Sequence, residues 1–583
     1  MLEPQSRAAL TEQLKPPTGF ELVHAVGTTF TLDLATALAV PLSFASHRLS
    51  VQDDTLGVLD AIRRAADRID IFAQAGEISM GARSDLVAFL EPMIHPVAVR
   101  RGLFHPKVWF LEYTNGTAIE YRFICASRNL TADRSWDAVV RLDGKPGDSE
   151  ATNRPLVDLL RYLPALAVQD LEDERRARID ALAERWRTIA WERPDPMRSI
   201  AFHALGIPGS QMPDVRGQRS LIMSPFLSDD GLAMLRRGIR SETHVVSRAE
   251  SMDRLKPPSL KAVLHVLDDA ATYSGDDDDS PFVPPGERLS GLHAKAIVVD
   301  RKDGAHVFLG SANATAAAWQ LNVEVMVEMV GSVPQVGVNA TLEALGDLVE
   351  EYQTEGGAQP DPQEEIDRRL EALVRGLART RFSVRVIPAG PFALRVWADE
   401  PIVVSDDLTL RWHLLTRPDV GGMHLEGTEP AEATVHSIPL ADITPFIVLA
   451  VRDALGNERR TIVVARLLDD VADRRDAVIA RQLTDRAAFI RLLTLLLELS
   501  GASILSSAGG GGAGFFGDRD AVGTGLFEAL VRAVGDGHRG LADARRIIDY
   551  VRAHDEKAVL PDGFDELWSQ VWQAHLELTE AAS

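Results

Sequence analysis

Hydrophobic and polar positions along the chain follow two kinds of spacing. From about residue 20 to 145, short runs rich in β-branched and aromatic residues, such as 68–74 and 121–126, alternate with helix-like segments. A stretch of the same kind runs from about residue 199 to 351 and includes a helix-like segment at 229–237. This alternation predicts an α/β fold in two successive halves.

The charged segment from 165 to 192 separates these halves. Apolar residues recur in it at roughly helical spacing, namely Leu171, Ile179, Leu182, Trp186 and Ile189. The spacing predicts a long amphipathic helix or a helix pair that bridges the two halves.

The pattern changes after the second half. Residues 355–363 are rich in glycine and proline, which break regular structure, and a helix is predicted over about 364–379. Short alternating strands are predicted from 381 to 469. From 470 onward the apolar residues have helical spacing, as in 489–499. The predicted organisation is a leader at 1–20, α/β halves at 21–195 and 196–355, a β-sandwich-like domain at 380–469 and a helical domain at 470–583.

Two low-complexity segments are predicted to be loops. The acidic run 275–279 is closed by prolines and is typical of a solvated insertion. The glycine tract 509–512 lacks the Gly-Lys-Ser/Thr that a phosphate-binding P-loop requires, so a flexible loop is favoured.

Composition narrows the possible functions. The 583 residues include 62 Lys and Arg against 85 Asp and Glu, a net charge of −23, which argues against a protein that coats nucleic acid by bulk positive charge. A nuclease with a small basic cleft is still allowed. The single cysteine, Cys125, excludes an intramolecular disulfide framework and is expected to be a small core residue. No secretory signal or run of 18 apolar residues is seen, so we predict a cytoplasmic protein.

A set of polar residues recurs in both halves in the same order. The first copy is His105-Pro-Lys107 followed by Ser127-Arg-Asn129, and the second is His293-Ala-Lys295 followed by Ser311-Ala-Asn313. In a strand, the histidine and lysine of one copy would project from the same face. The serine and asparagine follow a predicted strand at a corner where polar groups can meet a phosphate. Two such halves facing each other would surround one anion.

Metal binding is a poor alternative explanation of the repeat. Lysine is not a metal ligand at neutral pH, and no His-x3-His or carboxylate cluster accompanies either copy. We therefore expect neither a metal nor another cofactor.

The repeat resembles the phospholipase D superfamily, whose motif is His-x-Lys-x4-Asp followed downstream by Gly-Ser-x-Asn. The second copy matches it at His293, Lys295, Asp300 and Gly310-Ser311-x-Asn313. The first copy has Glu112 for the aspartate and Ala126 for the glycine. The resemblance covers about residues 20–350 and implies two pseudo-symmetric phospholipase D-like halves that form one active site. Glu112 and Asp300 have the opposite strand parity from the histidines, which favours a structural role.

The resemblance also implies a carboxylate that orients a catalytic histidine. In Asn322-Val-Glu324, Glu324 fits the pattern, and Asp137 is the nearest candidate in the first half, although its spacing does not match that of Glu324. A carboxylate on one ring nitrogen fixes the tautomer and leaves the other nitrogen to react.

The reaction that the resemblance implies is a two-step phosphoryl transfer. One histidine, with His105 favoured, attacks phosphorus to give a phosphohistidine, and the other protonates the leaving oxygen. Lysines and asparagines of both copies would stabilise charge on the non-bridging oxygens. The predicted site contains His105, His293, Lys107, Lys295, Asn129, Asn313, Ser127, Ser311, Glu324 and Asp137.

The motif does not select a substrate, because the superfamily includes nucleases, DNA-end repair enzymes, lipid phosphodiesterases and phosphatidyl transferases. We expect a nuclease, with DNA favoured over RNA, working beside a helicase or other ATPase in DNA repair or antiphage defence. No stable membrane association is expected. The alternatives are a phospholipase or phosphatidyl transferase and an inactive module that binds nucleic acid or a partner. Arg100 and Arg101 either extend the phosphate cleft or are a plain surface pair.

Overall fold

The described part of the chain comprises most of both halves and of the region that follows them. The computed structural model describes residues 10–45, 65–80, 85–131, 136–148, 150–267, 291–420, 423–424, 432–482 and 564–582, with isolated positions between 530 and 552. The predicted loops at 275–279 and 509–512 and the apolar run at 489–499 lie outside these residues.

The first half is built on a seven-stranded mixed sheet. The strands up to residue 191 are β1 Glu21–Thr29, β2 Leu32–Asp33, β3 Ile69–Gln74, β4 Ile78–Ser79, β5 Ile94–Val97, β6 Val108–Thr114, β7 Ile119–Ala126, β8 Val139–Pro146 and β9 Ile189–Trp191. The order is β5-β3-β1-β6-β7-β8-β9, while β2 and β4 pair separately. β3 is buried along its whole length because both faces of the sheet are covered.

The second half is built on an eight-stranded sheet. Its strands are β10 Ser199–Leu205, β11 Arg219–Met223, β12 Thr243–Ser247, β13 Val263–Leu267, β14 Ala296–Arg301, β15 Gly304–Gly310, β16 Glu324–Gly331 and β17 Val349–Glu351. The order is β10-β16-β15-β14-β11-β12-β13-β17. β11 is parallel to β12 and antiparallel to β14, and in the first sheet β1 is likewise parallel to β3 and antiparallel to β6.

The two sheets share one core. Val108, Phe110 and Phe123 of the first sheet and Ala296 and Val298 of the second are buried in the same apolar cluster. Burial of this surface away from water holds the halves together. The strand ends that carry the two motif copies therefore face each other.

Two helices, rather than one, connect the sheets, at Glu150–Leu166 and Asp173–Trp186. The first begins upstream of the predicted segment. The placement of Ile189 in the helix is wrong, because this residue begins β9, which pairs with β8. The other helices are Leu10–Leu14, Leu34–Ala37, Ala39–Ala45, Asp229–Arg236, Ala249–Asp253, Ala316–Gln320, Val333–Val336, Val338–Leu345, Pro362–Leu377, Arg474–Gln482 and Phe564–Ala582, with 3₁₀ turns at Asp85–Phe89, Ser259–Lys261, Gly346–Leu348 and Leu440–Asp442.

Residues 382–468 form two four-stranded sheets. Their strands are β18 Phe382–Ile387, β19 Phe392–Ala398, β20 Leu408–Leu414, β21 Met423–His424, β22 Glu432–Ile438, β23 Phe446–Asp453, β24 Glu458–Val464 and β25 Arg466–Leu468. The sheet orders are β22-β19-β18-β25 and β21-β20-β23-β24. Inward-facing residues of both sheets, such as Val384 and Trp412, share one cluster. The preceding helix starts at Pro362, where Asp361 caps the backbone N–H of Gln363.

Candidate active site

The His-x-Lys triplets lie just outside the strands in which they were expected. β6 begins at Val108 and β14 at Ala296, so each triplet is an extended segment at the start of its strand. The reason is a backbone pairing between the halves. The N–H of His105 donates to the carbonyl of Val323 at 2.9 Å, and the N–H of His293 donates to that of Trp136 at 2.9 Å.

Each histidine is held by a carboxylate from the opposite half. Nδ1 of His105 lies 2.9 Å from Oε2 of Glu324, and Nδ1 of His293 lies 3.0 Å from Oδ1 of Asp137. If each Nδ1 carries the proton that it donates to the carboxylate, Nε2 is left with its lone pair. The arrangement is reciprocal, since each half supplies one histidine and one carboxylate.

The two serines fix these carboxylates. The hydroxyl of Ser127 donates to Asp137 at 3.0 Å, and the hydroxyl of Ser311 donates to Glu324 at 2.5 Å. Each hydroxyl also accepts the N–H of the residue after its carboxylate, from Ala138 and Val325 respectively. Asp137 and Glu324 therefore make equivalent contacts, although their spacing from the serine differs. The connection from serine to carboxylate is simply longer in the second half, where it contains the helix Ala316–Gln320.

Asn322 is a site residue to which the sequence pattern assigned no role. Its Nδ2 donates to Oε1 of Glu324 at 3.2 Å, and its Oδ1 accepts the N–H of Leu103 at 3.0 Å. Asn322 thereby joins the carboxylate to the segment that carries His105. Its position two residues before Glu324 gave no signal, because the pairing crosses between the halves.

Both lysines are buried at the site. The side chains of Lys107 and Lys295 belong to residues only 2% and 1% exposed, and each ammonium donates to the carbonyl of its own histidine, at 3.0 and 2.8 Å. Burial lowers the pKa of Lys295 to about 8, and it lowers the pKa of Lys107 well below its ordinary value. Nearby Lys295 lowers the pKa of Lys107 further. A bound anion would reverse both effects, because opposite charge favours the protonated amine.

Burial also lowers the pKa of both histidines. The pKa of His105 falls to about 4, even though Glu324 acts in the opposite direction. The pKa of His293 is lowered as well, with Asp137 opposing the shift. Both imidazoles are therefore neutral near pH 7 in the unliganded protein, the state in which a histidine can act as a nucleophile.

The asparagines lie in loops with matching contacts. The hydroxyls of Thr29 and Ser224 accept the N–H groups of Leu130 and Ala314, the residues that follow Asn129 and Asn313. The side-chain oxygens of the asparagines also have protein contacts: Oδ1 of Asn129 lies 3.4 Å from the backbone nitrogen of Thr31, and Oδ1 of Asn313 lies 3.5 Å from the Ser224 hydroxyl. Asn129 and Lys107 line the same surface depression.

Other motif residues point away from the histidines. Glu112 pairs with Arg185 at 2.7 Å, and Asp300 pairs with Arg219 at 3.0 Å, so both carboxylates connect elements of their own half. Burial raises the pKa of the Cys125 thiol to about 12, and a thiol in that state is a poor nucleophile. Within the described residues, no three His, Cys, Asp or Glu side chains form a group that could hold a metal ion. None of the helices in the described ranges is long and apolar enough to cross a membrane.

These contacts define one composite site to which both α/β halves contribute. No family model matches the sequence, and no curated protein does. Solved structures similar to the chain include yeast tyrosyl-DNA phosphodiesterase, at 13% identity and TM-score 0.32, with 53% of this chain and 84% of that one covered.

Two other solved structures are similar at a comparable level. Polyphosphate kinase from Porphyromonas gingivalis shares 11% identity at TM-score 0.34 and covers 63% of this chain and 51% of that one. Phosphatidylserine synthase from Haemophilus influenzae shares 11% identity at TM-score 0.33, with coverage of 64% and 90%.

Proposed function

We propose that this protein is a metal-independent phosphodiesterase, a nuclease acting on DNA through a phosphohistidine intermediate. The observation that carries the proposal is the reciprocal pairing of His105 with Glu324 and of His293 with Asp137. A carboxylate on one nitrogen of each histidine, with two buried lysines beside them, suits nucleophilic and acid–base catalysis on a phosphodiester.

In the first step, Nε2 of His105 attacks phosphorus. The N–P bond forms as the bond from phosphorus to the leaving oxygen breaks, and protonated His293 gives its Nε2 proton to that oxygen. In the second step, His293 takes a proton from water, the resulting hydroxide attacks phosphorus, and the N–P bond to His105 breaks. His293 carries the proton because the negative phosphodiester raises its pKa when it binds.

His105 is assigned as the nucleophile and His293 as the acid. The pKa of His105 is lowered to about 4, mainly by burial, so His105 is neutral and ready to attack throughout the neutral and mildly acidic range. Lys107, Lys295, Asn129 and Asn313 stabilise charge on the non-bridging oxygens in both steps.

Exposed arginines beside the site support a polyanionic substrate. Arg100 and Arg101 are exposed, and neither guanidinium has a hydrogen-bond or ion-pair partner among the residues that the structure describes. They precede Leu103, whose N–H bonds to Asn322 and so lies beside the Glu324 carboxylate. On a chain with a net charge of −23, two unpaired cations at this position favour a ligand with several phosphates.

The test is cleavage in EDTA of single- and double-stranded DNA and RNA, with phosphatidylcholine vesicles assayed in parallel. We expect wild-type protein to cleave DNA, and His105→Asn and His293→Asn to lose at least about a thousandfold in rate. His436→Asn, which alters an exposed histidine on β22, is the control and keeps full activity. Acid-labile phosphate trapped on wild-type protein but not on His105→Asn identifies the nucleophile.

Cleavage that persists in both active-site variants would overturn the proposal, and cleavage of vesicles alone would replace the nuclease with a lipid phosphodiesterase. We also propose a helicase or other ATPase as partner, in DNA repair or antiphage defence. This part is tested by asking whether such an ATPase co-purifies with the protein and stimulates its DNA cleavage.

A further inference from the structure

One exposed aromatic side chain lies beside the His293 half of the site. Phe226 is 49% exposed, and among the described residues it is the one aromatic in the set of exposed large hydrophobic side chains. An exposed phenyl ring loses hydrophobic free energy unless something covers it. Neither step of the proposed reaction uses this ring.

Two contacts fix Phe226 next to the reacting groups. The Ser224 hydroxyl donates to the Phe226 carbonyl at 2.8 Å and lies 3.5 Å from the side-chain oxygen of Asn313. The guanidinium of Arg248 lies 5.2 Å from the ring centroid, and its Nε donates to the carbonyl of Leu292, the residue before His293. The ring and the guanidinium therefore form one polar–aromatic surface beside His293.

The described residues of the first half show no equivalent of this surface. Thr29 donates to the carbonyl of Thr31 at 2.7 Å as Ser224 does to Phe226, so Thr31 occupies the equivalent position. The nearby Phe30 is partly buried, and its ring packs 5.1 Å from that of His105. The exposed aromatic thus belongs only to the side of the site that carries the proposed general acid.

We propose that Phe226 and Arg248 form a subsite that stacks one unpaired nucleobase on the leaving-group side of the scissile phosphate. The inference rests on the proposed function and names its substrate class, a single-stranded nucleic acid segment. Every base has a π-face that can stack on a phenyl ring, and a guanidinium beside that ring attracts the adjoining phosphate. A paired base cannot offer its face without leaving the duplex stack.

The test measures binding, so it does not depend on turnover. Fluorescence anisotropy in EDTA measures the affinity of His105→Asn protein, which is used to prevent cleavage, for a twelve-nucleotide single-stranded DNA. The same measurement is made for a series of strands, each of which lacks the base at one position. We expect the abasic residue to weaken binding about tenfold at one position only. Adding Phe226→Ala or Phe226→Leu should remove that difference, while Phe226→Trp should keep it.

Leu455→Ala is the control variant, because Leu455 is 82% exposed in the turn between β23 and β24. It should bind every strand as the unaltered background does. The subsite is overturned if the His105→Asn protein with Phe226 unchanged binds intact and abasic strands equally. It is also overturned if the Phe226→Leu variant keeps the difference in binding. A binding difference in this background together with wild-type protein that cleaves no DNA would instead count against the proposed nuclease chemistry and leave the subsite standing.

Discussion

At the scale of single residues, the site buries two lysine amines, neither of which forms a direct ion pair with a residue that the structure describes. Lys107 and Lys295 are almost completely buried, and each donates to a backbone carbonyl. The carboxylates Asp137 and Glu324 are engaged by histidine and serine. Burying an amine without a close counter-ion is unfavourable, and a bound phosphate supplies the missing negative charge.

This predicts a separation of stability from activity in Lys295→Met. We expect the melting temperature of the unliganded protein to be unchanged or higher, because an apolar side chain replaces a buried amine. Turnover should fall by at least about a hundredfold as charge stabilisation is lost. Differential scanning fluorimetry and DNA cleavage measure the two effects, with exposed Lys302→Met as control. A large fall in melting temperature would contradict this account.

The pH dependence follows from the two histidines. Activity requires neutral His105 and protonated His293. The first condition is lost as the pH falls through about 4, the pKa of His105, and the second as the pH rises through the pKa of His293, which lies below its ordinary value of 6.5. We expect kcat/KM, which reports the free protein, to be highest between about pH 4 and 6.5. A profile that keeps rising above pH 7 would rule out these roles.

Glu324 is predicted to orient His105 and not to react with the substrate itself. In Glu324→Gln, the amide N–H₂ replaces either Oε2, which faces both His105 and Ser311, or Oε1, which accepts from Asn322. In either orientation a donor faces another donor, which weakens the hold on the His105 tautomer. We expect kcat to fall by about a hundredfold or more with KM little changed. Steady-state kinetics test this. The kcat of Glu324→Asp should also lie below that of the wild type, because the shorter side chain leaves its carboxylate further from Nδ1 of His105.

The repeated His, Lys, Ser and Asn residues could be found from the sequence because each motif is local. The equivalence of Asp137 and Glu324 could not, since it depends on which half each one contacts. The connection lengths that hide this equivalence are set by the helix Ala316–Gln320. Phe226 gave no signal because an exposed phenylalanine has no periodic pattern.

At the scale of elements, the end of β15 shows why one motif copy has glycine and the other alanine. A Cβ at Gly310 would meet the Val325 carbonyl at 2.1 Å, whereas Ala126 occupies the matching end of β7. The strand pattern predicted both β7 and β15 from their β-branched and aromatic residues. It placed the His-x-Lys triplets inside strands because the pairing of His105 and His293 with the opposite half has no local signature.

We therefore expect Gly310→Ala to destabilise the protein by about 1–3 kcal/mol, because β15 and β16 must separate to admit the methyl group. Ala126→Gly should change stability by less than about 1 kcal/mol. Urea unfolding measures both. Equal effects of the two substitutions would show that the close approach at Gly310 is not what restricts this position.

At the scale of the whole molecule, the β-sandwich-like region and the first half are joined. Phe446, Val448 and Ile462 belong to the same apolar cluster as Ile71 and Leu111 of the first sheet. Buried Arg474 pairs with Glu91 at 2.6 Å, and Arg375 pairs with Glu77 at 2.7 Å. The sequence indicated the strands of this region but not the shared core, because contacts between distant segments leave no periodicity.

A chain ending at residue 361 should therefore be less stable than the full chain. Removing the three apolar side chains of β23 and β24 exposes surface whose burial contributes about 1.5–3 kcal/mol per side chain. We expect a lower melting temperature and increased binding of a hydrophobic dye. A truncated chain with an unchanged melting temperature would show that the first half folds without this region.

The exchange of carboxylates between halves also affects how the protein is made. A ribosome extends the chain from the N-terminus, and Glu324 follows His105 by 219 residues. A nascent chain that has folded only its first sheet holds His105 without its carboxylate and Asp137 without its histidine. The reactive centre is completed only after the second half has been synthesised, so a chain that stops within the first half carries none of the proposed DNA-cutting activity.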